Sequence, residues 1–380
     1  VTPKGFRWAG ARCGLKNRRN DVGILLSEGP AMAAALCTAN LVHAACVDVT
    51  REALAGGTLR AVVVNSGNAN CCTGAQGERD ARRIAALAEQ ALGLEPGAVA
   101  VAQTGVIGQL IDMAKVEKGI ALASGALGDD PRPFMEAILT TDLVEKSATA
   151  KEGGGVVYGV AKGSGMIAPK MATMLAFLAT DLDLTGIDLH AALQAAADRS
   201  FHNLTVDGDT STNDMALLMA NGASGERPAP EAFQAALDEV CVSLARQIAR
   251  DGEGATKLIE VVVTGSGDPR RIARTIGESP LVKTAMFGCD PNWGRIMAAA
   301  GRAGVPFDPA QAVLTVEASG EEHLLFEGGA PAAFDPKRVS TALKSDHIVL
   351  RLDLGLGATA TVYTCDLGYG YVRINAEYHT

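Results

Sequence analysis

The chain has 380 residues, with 34 Lys and Arg against 43 Asp and Glu and a formal net charge of −9. That balance, with no basic run to overturn it, excludes a nucleic-acid surface, and no apolar stretch approaches the ~18 residues of a membrane span. With 48% hydrophobic residues, 43 glycines and few aromatics, the length predicts a soluble α/β protein of two domains or one elaborate one. The chain begins Val1-Thr2-Pro3-Lys4-Gly5 without a signal-peptide core, and its eight cysteines have no C-x-x-C pair. A reducing, cytoplasmic setting is expected, and no metal, because neither the cysteines nor the six histidines have ligand spacing.

Residues 21–28 read as a strand ended by Gly29-Pro30, and residues 59–64 as a second strand. The second runs into Asn65-Ser66-Gly67-Asn68-Ala69-Asn70, by default a polar turn. A helix follows over about 78–92, with Ile84, Leu87, Ala88 and Ala91 on its apolar stripe. The short strand 99–102 ends at Gln103-Thr104-Gly105. A glycine N–H beside a hydroxyl donor suits an oxyanion, although strand-to-helix turns also use glycine for geometry alone. Residues 110–123 and 133–139 read as helices, the second leading to Thr140-Thr141-Asp142.

Two apolar strands, 155–160 and 174–179, flank Lys162-Gly163-Ser164-Gly165-Met166-Ile167-Ala168-Pro169-Lys170-Met171-Ala172-Thr173. A threonine hydroxyl becomes a useful nucleophile when a base sits beside it, and its own α-amine is one such base once the preceding bond is cut. That amine has an ordinary pKa of roughly 7.7–8.0, so it accepts a proton near neutrality. The same hydroxyl can make the cut by attacking the preceding carbonyl, passing the chain from N to O before water hydrolyses the ester, and small Ala172 leaves room for it. The plain alternative is that Thr173 merely opens a buried strand.

Residues 185–200 read as a helix, followed by a stretch to Asp214 rich in aspartate and hydroxyls but without calcium-loop spacing. Residues 229–250 form the clearest helix, with Phe233, Leu237, Val240, Leu244 and Ile248 on one stripe. Glu253 then stands between two glycines, by default an exposed carboxylate, ahead of a strand at 258–263. Asp290-Pro291-Asn292 predicts a capped helix to Gly301, and residues 313–317, 348–354, 358–363 and 370–374 read as strands.

The run from Ala161 to Pro169, followed by Met171-Ala172-Thr173-Met174-Leu175, resembles the self-processing site of the ornithine acetyltransferase family, the bifunctional glutamate N-acetyltransferases of arginine biosynthesis. The likeness extends to residues 200–214, to Gly288-Cys289-Asp290-Pro291-Asn292-Trp293-Gly294-Arg295 and to the C-terminal segment. It implies cleavage between Ala172 and Thr173, an acetyl ester on Thr173, and an oxyanion hole from Thr104 and Gly105. It further implies substrate contacts by Thr140, Lys162, Thr173, Glu253, Asn375 and Thr380, with N-acetylornithine as donor and glutamate as acceptor. No cofactor is implied, although acetyl-CoA could serve as a second donor.

The implied architecture is a layered α-β-β-α core with a smaller C-terminal α/β region. The division is 1–172 as an α fragment, 173–280 completing the core as the first part of the β fragment, and 281–380 as the smaller region. The two fragments are expected to assemble as an α2β2 unit. Two departures stand out: Lys170 in place of asparagine, three residues from the cut, and Cys71 in place of alanine. Rival expectations are a self-processing amidohydrolase or aminopeptidase with the same threonine, and an uncleaved small-molecule-binding protein.

Overall fold

The computed structural model describes residues 1–168 and 174–377. Their first sheet contains β1 (Phe6–Ala11), β2 (Val22–Cys37), β3 (Thr58–Asn68), β4 (Val99–Val106), β5 (Lys146–Glu152), β6 (Gly155–Lys162), β7 (Leu175–Thr180) and β8 (Met215–Ala220). The order is β4-β3-β2-β8-β7-β6-β5, with β1 also paired to β2. β2 joins the two halves: its first part pairs with β1 and β3, and Met32 to Cys37 pair with β8. The strand therefore does not end at Gly29-Pro30 as its composition suggested. A register shift between Leu26 and Ala31 bends it there, and the missing N–H of Pro30 costs no ladder bond.

That bend lays the two halves of the sheet face to face. Side chains alternate across each strand. Val62 and Val64 of β3 and Phe177 and Ala179 of β7 point into a shared inner core. Ala61 and Val63 point instead to α1 (Ala45–Ala53), α2 (Gly74–Leu92) and α3 (Met113–Ser124). Between the halves lies α4 (Arg132–Ile138), whose Phe134 meets Trp8 and Phe177 edge-on at centroid distances of 5.4 and 5.3 Å. On the far side, Ala176 and Leu178 pack on α5 (Leu189–Arg199) and α6 (Pro230–Arg250). The layering is α-β-β-α. β8 (Met-Ala-Leu-Leu-Met-Ala) is covered on both faces, so its sequence lacks the alternation that announces a strand.

The second sheet holds β9 (Leu258–Thr264), β10 (Val313–Ala318), β11 (Glu321–Glu327), β12 (Ala330–Pro331), β13 (His347–Asp353) and β14 (Thr359–Cys365), in the order β12-β11-β10-β13-β9-β14. Its apolar face is covered by α7 (Pro269–Gly277), α8 (Pro280–Phe287), α9 (Trp293–Gly301) and α10 (Pro336–Ala342). β9 lies between β13 and β14, so residues 258–277, within the 173–280 span, pack with this second sheet. The expected cap of α9 is present, with Asn292 Oδ1 accepting from the Arg295 N–H at 3.2 Å.

A further expectation is corrected. Residues 370–374 are not a strand but part of α11 (Tyr369–Glu377). Tyr371, Val372 and Ile374 favour strands by type. Helical spacing instead brings Tyr371 and Asn375, four apart, onto one side facing the core unit. Tyr371 Oη donates to Asp207 Oδ2 at 3.3 Å, and Asn375 Nδ2 to Glu253 Oε2 at 2.7 Å. Among the described residues no helix is long and apolar enough to cross a membrane.

Candidate active site

The parallel ends of β3 and β4 form the floor of the site. β3 runs through Asn65 to Asn68 rather than turning there, because these polar residues pair with Gln103 to Val106. Gly105 has φ +134, and a Cβ on it would lie 2.3 Å from the Gly67 carbonyl carbon and 2.4 Å from the Asn68 nitrogen. Only glycine permits that approach. Behind it is a buried amide network. Gln103 Nε2 donates to Asn65 Oδ1 at 2.7 Å, and Asn70 Nδ2 to Gln103 Oε1 at 3.0 Å. Asn213 Nδ2 bridges the carbonyls of Ala69 at 2.8 Å and Gln103 at 2.9 Å. With these groups paired, the backbone presenting Thr104 and Gly105 has one low-energy arrangement.

Lys162 ends β6 and is only 4% exposed, which rules out a solvated strand-end charge. Its Nζ donates to Thr104 Oγ1 at 3.3 Å. A hydroxyl that accepts from an ammonium keeps its own proton to give elsewhere, and here it faces a cavity. Burial pushes the Lys162 pKa down, partly offset by the carboxylates of Asp142, Asp214 and Glu253.

A buried ion triad fixes the elements around that lysine. Lys146 Nζ donates to Asp142 Oδ1 at 2.7 Å and Asp251 Oδ2 at 2.6 Å. The same Asp142 carboxylate accepts from the N–H of Gly163 at 2.7 Å and of Thr140 at 3.1 Å. Ser164 Oγ donates to the Asp251 carbonyl at 2.7 Å, and the Glu253 N–H to the Ser164 carbonyl at 2.9 Å. Thr140, Lys162 and Glu253, far apart in sequence, are thus tied to one charge cluster. Asp207 clamps the next residues, accepting from the N–H groups of Met166 at 2.6 Å and Ile167 at 2.8 Å.

The resulting cavity, about 110 Å³, is lined by Thr104, Gly105, Thr140, Lys162, Glu253 and Asn375, all expected from the sequence. Thr141 lines it as well. Glu253 is buried rather than exposed, and Gly165 makes room for it: a Cβ there would lie 2.4 Å from the carboxylate carbon. Ala172, Thr173 and Thr380 lie outside the described residues. Met174, which follows the expected cut, lines an adjoining recess with Thr104, Lys162 and Asp214.

Two further residues matter at the site: Asp214, within the 200–214 likeness but not singled out there, and Lys16, which escaped the sequence reading. Asp214 is 1% exposed and accepts from the Met174 N–H on Oδ1 at 3.0 Å, while Oδ2 has no hydrogen-bond partner among the described residues. Burial holds this carboxyl well above the usual carboxylate range. Lys16 also lines the cavity, although within Lys16-Asn17-Arg18-Arg19 it reads as a surface charge. Among the described residues no group of three or more His, Cys, Asp or Glu is placed to hold a metal ion.

A layered α/β fold presenting a hydroxyl, a close-approach glycine and a buried cation in one cavity defines an enzyme of the acyl-transfer class. The model of the ArgJ family matches residues 7–380, and the chain belongs to that family. It is 47% identical to the arginine biosynthesis bifunctional protein ArgJ of Symbiobacterium thermophilum, an alignment covering 100% of this chain and 98% of the relative. The protein of that name from Thermus thermophilus is also 47% identical, with 100% and 99% covered. Among solved structures, arginine biosynthesis bifunctional protein ArgJ from Bacillus halodurans is 39% identical, covering 53% of this chain and 98% of that one, with a TM-score of 0.49.

Proposed function

We propose that the chain cleaves itself between Ala172 and Thr173 and then moves the acetyl group of N2-acetylornithine to glutamate through an acetyl ester on Thr173. The observation that carries this is the single cavity uniting Thr104, Gly105, Lys162, Glu253 and Asn375, with Met174 on the wall of the adjoining recess. Thr173 Oγ attacks the acetyl carbonyl and its α-amine takes the proton. Thr104 Oγ and the Gly105 N–H receive the charge that develops on oxygen, where one donor contributes about 2.7–4 kcal/mol. Lys162 holds the α-carboxylate that both amino acids carry. Glu253, steadied by Asn375, pairs with the side-chain ammonium of the donor. The Thr173 α-amine passes its proton to the departing nitrogen as ornithine leaves; glutamate enters, its amine takes the acetyl group from the ester, and its proton returns to Thr173 Oγ by way of the same α-amine.

Thr140 and Thr380 complete the substrate contacts of this proposal, fragments 1–172 and 173–380 assemble as α2β2 in the cytoplasm, and acetyl-CoA is a possible second donor. A water-accessible ester would hydrolyse, so transfer requires a well-placed amine to outcompete water. Measuring ornithine release from acetylornithine with and without glutamate separates transfer from hydrolysis. Transfer predicts strong dependence on glutamate with stoichiometric acetylglutamate; glutamate-independent release would establish an amidohydrolase. A second expectation concerns the donor alone. Gly165→Ala pushes the Glu253 carboxylate aside and should raise KM for acetylornithine about ten- to hundredfold, the worth of one charged hydrogen bond. Steady-state kinetics with the donor varied reads that effect.

A further inference from the structure

The two amino acids that this site would handle differ in one electrical respect. Both carry an α-carboxylate, but the donor's side chain ends in an ammonium and the acceptor's in a carboxylate. Lys162 and Glu253 suffice for the donor. Glutamate brings a second negative charge that neither can take, and a buried carboxylate without a cation is costly. The cavity has one more cation on its wall, Lys16.

Lys16 is held there by construction. The buried carboxylate of Asp21 accepts from four consecutive backbone N–H groups, those of Cys13 at 2.7 Å, Gly14 at 2.9 Å, Leu15 at 2.8 Å and Lys16 itself at 3.0 Å. This knot fixes the loop between β1 and β2, so the root of the side chain does not wander. At its tip, Nζ donates to the Leu139 carbonyl at 2.7 Å and more distantly to the Glu136 carbonyl at 3.5 Å, at the C-terminal end of α4. Those carbonyls orient an ammonium without neutralising it. Among the described residues no carboxylate lies within ion-pair distance of it. Burial lowers its pKa to about 8; Asp21 opposes that shift, and the like charges of Arg19 and Lys162 add to it. An under-compensated cation facing a substrate cavity is a place for an anion.

Resting on the transfer reaction proposed above, we infer that Lys16 is the acceptor-specificity residue, binding the side-chain carboxylate of glutamate, while the donor's ammonium goes to Glu253. The two side-chain charges are thereby sorted to different residues of one cavity.

The test uses processed, full-length enzyme with Lys16→Met, which keeps the apolar stem, and Lys16→Arg, which keeps the charge. Processing on a denaturing gel and single-turnover ornithine release from acetylornithine without acceptor report folding and the donor half-reaction. In Lys16→Met, both should match the wild type, while KM for glutamate rises about ten- to hundredfold, as for loss of a charged hydrogen bond. The preference for glutamate over glutamine as acceptor should fall by a similar factor, and Lys16→Arg should restore most of it. A parallel rise in KM for acetylornithine would overturn the inference, because Lys16 would then hold the shared α-carboxylate. An unchanged glutamate-to-glutamine preference in folded Lys16→Met would overturn it also. Failure of the wild type to acetylate glutamate would instead strike the reaction itself, so the two failures are distinguishable.

Discussion

Thr173→Ala is expected to give one uncleaved band on a denaturing gel and to lose acetyl transfer by about 10⁴-fold or more. The size of the effect follows from two roles on one residue. Without Oγ, nothing attacks the preceding carbonyl, so the chain stays whole. Without the cut, no free α-amine exists to serve as base, and without the hydroxyl no ester can form. The floor of the cavity should survive, since Gly105, Asn213 and the Gln103 amide network involve other residues. Thr173→Ser, which keeps both oxygen and amine, should still process and turn over. A gel and an ornithine-release assay on the two variants read the result; normal turnover in Thr173→Ala would remove the nucleophile assignment.

Lys146→Met should destabilise the protein by about 3–5 kcal/mol, because it leaves Asp142 and Asp251 as buried carboxylates without their shared cation. Lys146 is fully buried, so no solvent screens the loss. Burial alone would raise the Asp142 pKa, but the charges of Lys162 and Lys146 and the Gly163 N–H outweigh it and hold the carboxyl well below the usual range. A depressed folded-state pKa gives stability that is present above the unfolded value, about 3.9, and lost as pH falls through the folded one. The wild type therefore keeps this contribution into strong acid, whereas acid unfolding of Lys146→Met should begin at higher pH. Urea unfolding at neutrality and circular dichroism through an acid titration measure both effects. The same change loosens Gly163 and Thr140, so activity should fall with stability.

Much of the core was legible because periodicity reports burial. The stripe of Phe233, Leu237, Val240, Leu244 and Ile248 is buried as drawn, and Asn292 caps its helix. What could not be read are features set by distant partners. β2 passes Gly29-Pro30 because β8, nearly two hundred positions later, pairs with its second half. β8 is apolar throughout, since both faces are covered. The residues of α11 favour strands by type, but as a helix they carry Tyr371 to Asp207 and Asn375 to Glu253. At the site, Thr104, Gly105, Lys162, Glu253 and Asn375 came from family resemblance, since local patterns make each an ordinary turn glycine, hydroxyl or charge. Lys16 had no local mark, since a lysine among arginines becomes distinctive only once its place on the cavity wall is known. Asp214, within the 200–214 likeness, is set apart from its neighbours only by its burial and by an oxygen without a hydrogen-bond partner among the described residues. The Asp142–Lys146–Asp251 triad joins residues 105 apart in sequence, a distance across which no pattern carries.

The most direct measurement is mass spectrometry of active enzyme after a brief exposure to acetylornithine without glutamate. Two fragments, residues 1–172 and 173–380, are expected, with an acetyl group on the first residue of the second fragment that disappears when glutamate is added. A fully active, unbroken 380-residue chain carrying no acyl group at Thr173 would contradict both the cleavage and the covalent intermediate.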